Sequence, residues 1–309
     1  MFRSATVHPQ VWDAVLTLKF YGDESADQTR SRVFTVAGVF GIEEEWTLAI
    51  QQWQRITRGR KFHANEWELP VGRTTEEHNE FKDSYRRLTI SLAESHLVGI
   101  AISLDLGCLQ KHLPGLPPET AYCKCFTDVL RLTGELAKEQ EDEELAAKFE
   151  YVFDSRLETD GTASQIYQSF RLLPEWRETE VFDTKVVFEG GDEPRLEMAD
   201  LLAREAMKEI DRTLTGIPPQ RRLSFGALDS ATVAGVKKFH FRHYGDDYCA
   251  KWRQQVDSPQ GQSDRKEYEQ WLVDNGCVQN GHTHDTIANR SRFYNWLENK
   301  EALLKKKDS

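Results

Sequence analysis

Two strand-like apolar runs near the start of the chain, residues 16–22 and 33–40, are separated only by the turn-like stretch 22–31, so they pair as a hairpin. Leu16, Leu18 and Phe20 alternate with Thr17, Lys19 and Tyr21, as a half-buried strand requires. The second run, with Val33, Val36, Val39 and Phe40, is apolar nearly throughout. This hairpin constrains what can follow, because every later strand must add to one of its two sides.

Helical spacing of Trp46, Ile50 and Trp53 predicts a helix over 43–56, and Phe81, Tyr85, Leu88 and Leu92 predict another over 75–95. A third strand is expected at 97–106. Pro114, Pro117 and Pro118 break the chain before a helix over 119–138, and the acidic stretch 139–144 is a solvated end. A fourth strand at 149–153 ends on Asp154. A short helix over 163–172, a fifth strand over 181–188 and a helix over 195–210 close the unit. The order is β-β-α-α-β-α-β-α-β-α, a mixed five-stranded sheet flanked by helices, placed as a domain at 15–215. Residues 216–309 lack clear strand alternation and are read as a C-terminal extension, partly helical around 268–273 and 291–304, with a frayed tail at 305–309.

Composition narrows the function classes. Forty basic against 51 acidic residues, a formal charge of −11, argue against a protein that coats nucleic acid through a broad positive surface. Five scattered cysteines, with no C-x-x-C pair, suggest neither a zinc cage nor a disulfide framework. The first ten residues have no apolar core of a signal peptide, and the longest apolar stretch is strand-length. The expectation is a soluble cytoplasmic protein without a membrane span.

The chemistry-bearing candidates are carboxylates in apolar settings. Asp23-Glu24 follows the first strand, Asp154 ends the fourth, and Asp200 lies in the apolar helical run with Glu197 three residues before it. A carboxylate at the tip of a core strand is poorly solvated and needs a partner, and acids from distant strands and a helix assemble an oxygen-only site for Mg²⁺ or Mn²⁺. Successive strand residues point to opposite faces, so Asp23 is the primary ligand and Glu24 a supporting residue behind it or a turn cap. Each acid also has a bland reading: turn chemistry for Asp23, a cap for Asp154, an Asp200–Arg204 surface pair for the helix. His63 is the candidate proton shuttle, or a metal or phosphate contact, against the bland reading of a packed or exposed side chain without chemistry. The basic cluster of Arg58, Arg60 and Lys61 is the candidate phosphate contact. His240, His243, Cys277, His282 and His284 match no familiar zinc spacing and are read as loop residues.

This order of strands and helices, with carboxylates on the first strand, the fourth strand and the last helix, resembles the ribonuclease H-like fold. Asp23-Glu24 within Tyr21 to Asp27, His63 between Phe62 and Ala64, and Glu197-Met198-Ala199-Asp200 resemble a bacterial and archaeal family, domain of unknown function 3800 (DUF3800). That family is marked by an Asp-Glu motif and a Gln-x-x-Asp motif. Glu197 replaces the glutamine, and Ala26 stands where a glycine often follows Asp-Glu-Ser. The resemblance implies a metal-dependent hydrolase of the nuclease type, with Asp23, Glu24, Asp154, Glu197 and Asp200 around Mg²⁺ or Mn²⁺ and nucleic acid as partner. The rival expectation is a non-catalytic ribonuclease H-like scaffold that binds nucleic acid or a protein, for example in a defence or mobile-element system. A phosphatase acting on small substrates is a third.

Overall fold

The computed structural model describes residues 16–68, 72–116, 119–141, 147–155, 160–173, 176, 179, 181–190, 193–275, 277–279 and 282–283. Strands β1 (Leu16–Ala26) and β2 (Val33–Gly41) form the expected hairpin. Helices α1 (Glu43–Thr57), α2 (Ala64–Glu68) and α3 (Thr75–Glu94) lead to β3 (Val98–Asp105). Then come α4 (Leu106–His112), α5 (Thr120–Glu141), β4 (Ala147–Asp154), α6 (Asp160–Arg171), β5 (Phe182–Glu189) and α7 (Pro194–Thr215). The remainder comprises α8 (Leu223–Asp229), the two-residue strands β6 (Thr232–Val233) and β7 (Val236–Lys237), β8 (Phe239–Tyr244), α9 (Asp246–Asp257) and α10 (Pro259–Asp274). A last small pair is β9 (Val278–Gln279) with β10 (His282–Thr283).

The protein is α/β, with a six-stranded, mostly parallel sheet in the order β5-β4-β1-β2-β3-β8, flanked by helices. β2 runs antiparallel to both neighbours, and the pairs β1–β4, β4–β5 and β3–β8 are parallel. Two cores cover the two faces. Phe20, Val36, Ile102, Phe149, Tyr151 and Phe153 meet α4, α5, α6 and Cys249 of α9 on one side. Tyr21, Ala37, Val39 and Ala101 meet α1, α2, α3 and α7 on the other. β2 is buried almost end to end because both of its faces are covered, which explains its continuous apolar run. Gly22 and Gly38 pair across β1 and β2, where a Cβ on either would sit 2.3 Å from the Phe153 ring and 2.0 Å from the Phe20 ring, respectively. The aromatic layer lies directly on the sheet there.

The structure corrects the expected strand count from five to six. β8 comes from the stretch past residue 216 that shows no clear strand alternation. Its Phe239 packs on Gly99 and its Phe241 on Phe225, while His240 and Arg242 alternate with them at the edge of the sheet. A basic, half-exposed edge strand carries little apolar signal. Its entry is pinned by Lys238, 2% exposed, whose Nζ donates to the Ala93 carbonyl at the end of α3 at 2.9 Å and to that of Ser95. α2 lies between the first two expected helices, and α7 extends past residue 210 to Thr215. The expected helix at 291–304 and the tail at 305–309 lie outside the described residues.

β1 also runs further than its apolar pattern suggests. Pairing continues through Asp23↔Ala37 to Ala26↔Phe34, so Asp23 and Glu24 are inside the strand rather than in a turn. The turn belongs to Asp27. Its buried carboxylate accepts the backbone N–H groups of Thr29 (3.0 Å), Ser31 (2.9 Å), Arg32 (2.7 Å) and Val33 (3.0 Å). Burial would raise its pKa, but hydrogen bonds from Thr29, Val33 and Arg32 outweigh that and hold it at about 2. A depressed carboxylate stabilises the fold above its unfolded pKa of about 4 and loses that contribution as pH falls towards 2. Asp27→Ala should destabilise the protein by about 2–3 kcal/mol in urea unfolding at pH 7. The drop in urea midpoint between pH 4 and pH 2 should be smaller in the variant than in the parent.

Candidate functional site

Asp23 and Asp154 come together through the parallel pairing of β1 and β4. The ladder ends at Gly22↔Phe153, and the next residue on each strand is a carboxylate. β5 adds a third, because Asp154 pairs with Glu189, the last residue of that strand. Tyr21 and Val152 belong to the core on the α7 side, so by the two-residue strand period Asp23, Asp154 and Glu189 turn to that same side. Glu24 turns to the opposite one. Asp23 is 7% exposed, and its Oδ1 accepts the Glu24 N–H at 2.7 Å. Three adjacent parallel strands therefore present carboxylates in one row at their carboxyl ends, with about 4.8 Å between neighbouring strands.

The start of α7 closes over the neighbouring part of β1. The Arg195 guanidinium lies 4.7 Å from the Tyr21 ring centroid and ion-pairs with Glu193 at 2.8 Å and Glu43 at 3.9 Å. Burial pushes the Tyr21 phenol up to about 12; Arg195 opposes this, and Glu193, Glu189 and Glu43 add to it. Tyr21 is thus a neutral hydroxyl beside a strongly acidic surface.

The α7 carboxylates Glu197 and Asp200 face the segment between α1 and α2. Glu197 Oε2 accepts the Trp53 indole N–H at 2.7 Å and Oε1 accepts the Phe62 backbone N–H at 3.0 Å. Asp200 Oδ2 accepts the Ala64 N–H at 2.9 Å and stands 3.8 Å from His63 Nδ1. These acids seat the His63 loop on the helix. The Asp200 carboxylate raises the His63 pKa above its ordinary value, burial opposes it, and Glu66 adds to the rise while Lys61 lowers it.

The expected Asp200–Arg204 pair is replaced by longer connections. Arg204 Nη2 donates to Asn65 Oδ1 at 2.8 Å and to Glu68 Oε2 at 3.0 Å. Arg58 and Arg60 turn to α3, 3.0 Å and 3.8 Å from Glu80, and Arg60 lies 5.4 Å from the Phe81 ring centroid. Lys61 is exposed, and its carbonyl accepts the Trp67 indole N–H at 3.0 Å.

Among the described residues, no group of three or more His, Cys, Asp or Glu side chains is arranged to hold a metal ion. Nor is any helix among them long and apolar enough to cross a membrane. Glu189 is absent from the sequence-based candidates because the apolar run of the fifth strand ends at Phe188. Its signature is the one that marks Asp23 and Asp154, an acid following an apolar strand, here just before Gly190. Comparison with protein-family models and with curated proteins finds no match for the chain.

Because the fold raises the His63 pKa, its ion pair with Asp200 contributes stability fully below the ordinary histidine value near 6.5 and loses it as pH rises through the raised value. In an NMR titration, Asp200→Asn should bring the His63 midpoint down towards that ordinary value, while Glu197→Gln should leave it above.

Proposed function

We propose that the chain is a divalent-cation-dependent phosphodiesterase acting on nucleic acid, on a ribonuclease H-like sheet of the DUF3800 kind. The observation that carries this reading is the placement of Asp23 and Asp154 on one face at the carboxyl ends of adjacent parallel strands. In open α/β sheets ligands bind outside the carboxyl ends of strands, where the order of strand addition reverses. Here the chain adds β2 and β3 on one side of β1 and then crosses to place β4 on the other. The element order around this sheet, a leading hairpin and a third strand followed by alternating helices and strands, supports the same assignment.

Asp23 and Asp154 supply hard oxygen donors, and Mg²⁺ is commonly bound by one or two carboxylates together with water and substrate phosphate. A two-carboxylate site is therefore compatible with there being no three-residue cluster among the described residues. When bound, such a cation offsets charge that develops on the phosphoryl oxygens. Glu189 ends the carboxylate row on β5 and lies outside this two-carboxylate set. Glu24, on the opposite face, is outside the ligand set of this proposal. Glu197 and Asp200 hold the His63 loop, and His63, with Nδ1 towards Asp200, offers Nε2 to move a proton. Arg58 and Arg60 would bind phosphate only by exchanging Glu80 for it.

The rival scaffold reading is favoured by one observation: Glu197 and Asp200 already serve as hydrogen-bond acceptors for the loop. A cation that binds only the folded state at a hundred times its Kd stabilises it by about 2.7 kcal/mol, a rise in Tm that a scaffold lacks. The expected result is a Mn²⁺-dependent rise in Tm and cleavage of DNA or RNA, both lost in Asp23→Asn and Asp154→Asn. Cleavage undiminished in those variants would come from a contaminant, and a Tm insensitive to Mn²⁺ would favour the scaffold.

A further inference from the structure

α2 has only five residues, one turn of helix, so its position is set by what holds its two ends. Its start is held where Glu197 and Asp200 accept the Phe62 and Ala64 N–H groups. Its end is Glu68, and there the decisive partner comes from beyond α7. Arg222 Nη1 lies 2.9 Å from Glu68 Oε1, while the same guanidinium donates through Nη2 to Glu205 Oε1 at 2.7 Å and through Nε to Glu205 Oε2 at 3.1 Å. Glu205 is fully buried on α7 and also accepts Tyr85 Oη at 2.7 Å and Ser224 Oγ at 2.6 Å. Its two bonds therefore fix the plane of the Arg222 fork, and the third edge of that fork faces Glu68.

We propose that Arg222 is a positioning residue for the loop of Phe62, His63 and Ala64, acting through Glu68 and α2, so that the segment after α7 governs whether this loop is seated on α7. Lys208, at 3.4 Å, and Arg204 share Glu68 from α7 itself, but Arg222 alone among these three joins it to Glu205. The segment that carries the clamp is open to solvent on both sides of Arg222, with Ile217 76% and Leu223 82% exposed. Anything that draws this segment away from α7 withdraws the Glu68 partner with it. The proposal goes beyond the phosphodiesterase reading and concerns loop seating only, so an inactive protein would leave it standing.

NMR-detected amide hydrogen exchange on the full chain tests it. In Arg222→Met the Phe62 and Ala64 amides should exchange at least about tenfold faster, with the Val36 and Ala37 amides of β2 unchanged. Arg221→Met, which removes a side chain paired with Glu209 and Asp229, should leave all four as they are. Glu68→Met, similar in length, removes the carboxylate that Arg222 meets, along with the pairs to Arg204 and Lys208, and should repeat the Arg222→Met pattern even if that variant fails to fold. Unchanged Phe62 and Ala64 protection in either folded variant overturns the proposal. Equal acceleration of the β2 amides would also overturn it, since that is general loosening.

Discussion

The central constraint is the charge carried on the buried faces of α7. Glu197, Arg204, Glu205 and Glu209 are all at most 9% exposed on a helix whose other buried residues are apolar. An unpaired charge in that position would cost several kcal/mol, so each must be met by a partner of the right chemistry. The partners come from several elements around the helix: Trp53 from α1, the Phe62 N–H from the following loop, Glu68 from α2, Tyr85 from α3, and Arg222 from the segment after α7. Such pairs add little net stability compared with apolar packing, but they accept few alternatives in geometry. That selectivity is why the His63 loop and α2 have one place to sit.

The sheet supplies the complementary constraint. β1 is central, with β2 antiparallel on one side and β4 parallel on the other. Burial of both faces fixes its register, because a shift by one residue would exchange Phe20 with Tyr21 between the two cores. The same parity sends Asp23, Asp154 and Glu189 to the α7 side. The acidic row and the seated loop thus arise from separate causes, strand register for one and buried charge pairing for the other, on the same face of the sheet.

Much of this arrangement is legible in the residues themselves. The hairpin, β3, β4 and β5 follow from their apolar runs, and α1 and α3 from the spacing of Trp46, Trp53, Tyr85 and Leu88, whereas the short α2, α4 and α8 and the polar α9 lie outside the expected elements. Asp23 and Asp154 stand out because an acid after an apolar run is locally anomalous. Glu189 has the same mark but falls one residue past the last clear apolar position. β8 escapes notice because an edge strand tolerates His240, Arg242 and His243. Asp27 resembles any turn acid until four backbone N–H groups are seen to converge on it. Nothing near Arg222 in the chain marks it, since its partners Glu68 and Glu205 are 154 and 17 residues away.

What the sequence determines by itself is periodic and local: the strands and long helices with clear apolar spacing, and the acids that lie in apolar surroundings. These follow from side-chain alternation and spacing, which are properties of neighbours along the chain. What only the tertiary structure decides is pairing: β4 beside β1, β8 beside β3, Asp200 with the Ala64 N–H rather than with Arg204, and Arg222 between two glutamates. A buried charge needs a partner, but its own sequence neighbourhood does not say from where. The choice is made when elements far apart in the chain pack on one helix and each buried donor or acceptor takes the nearest group that can satisfy it.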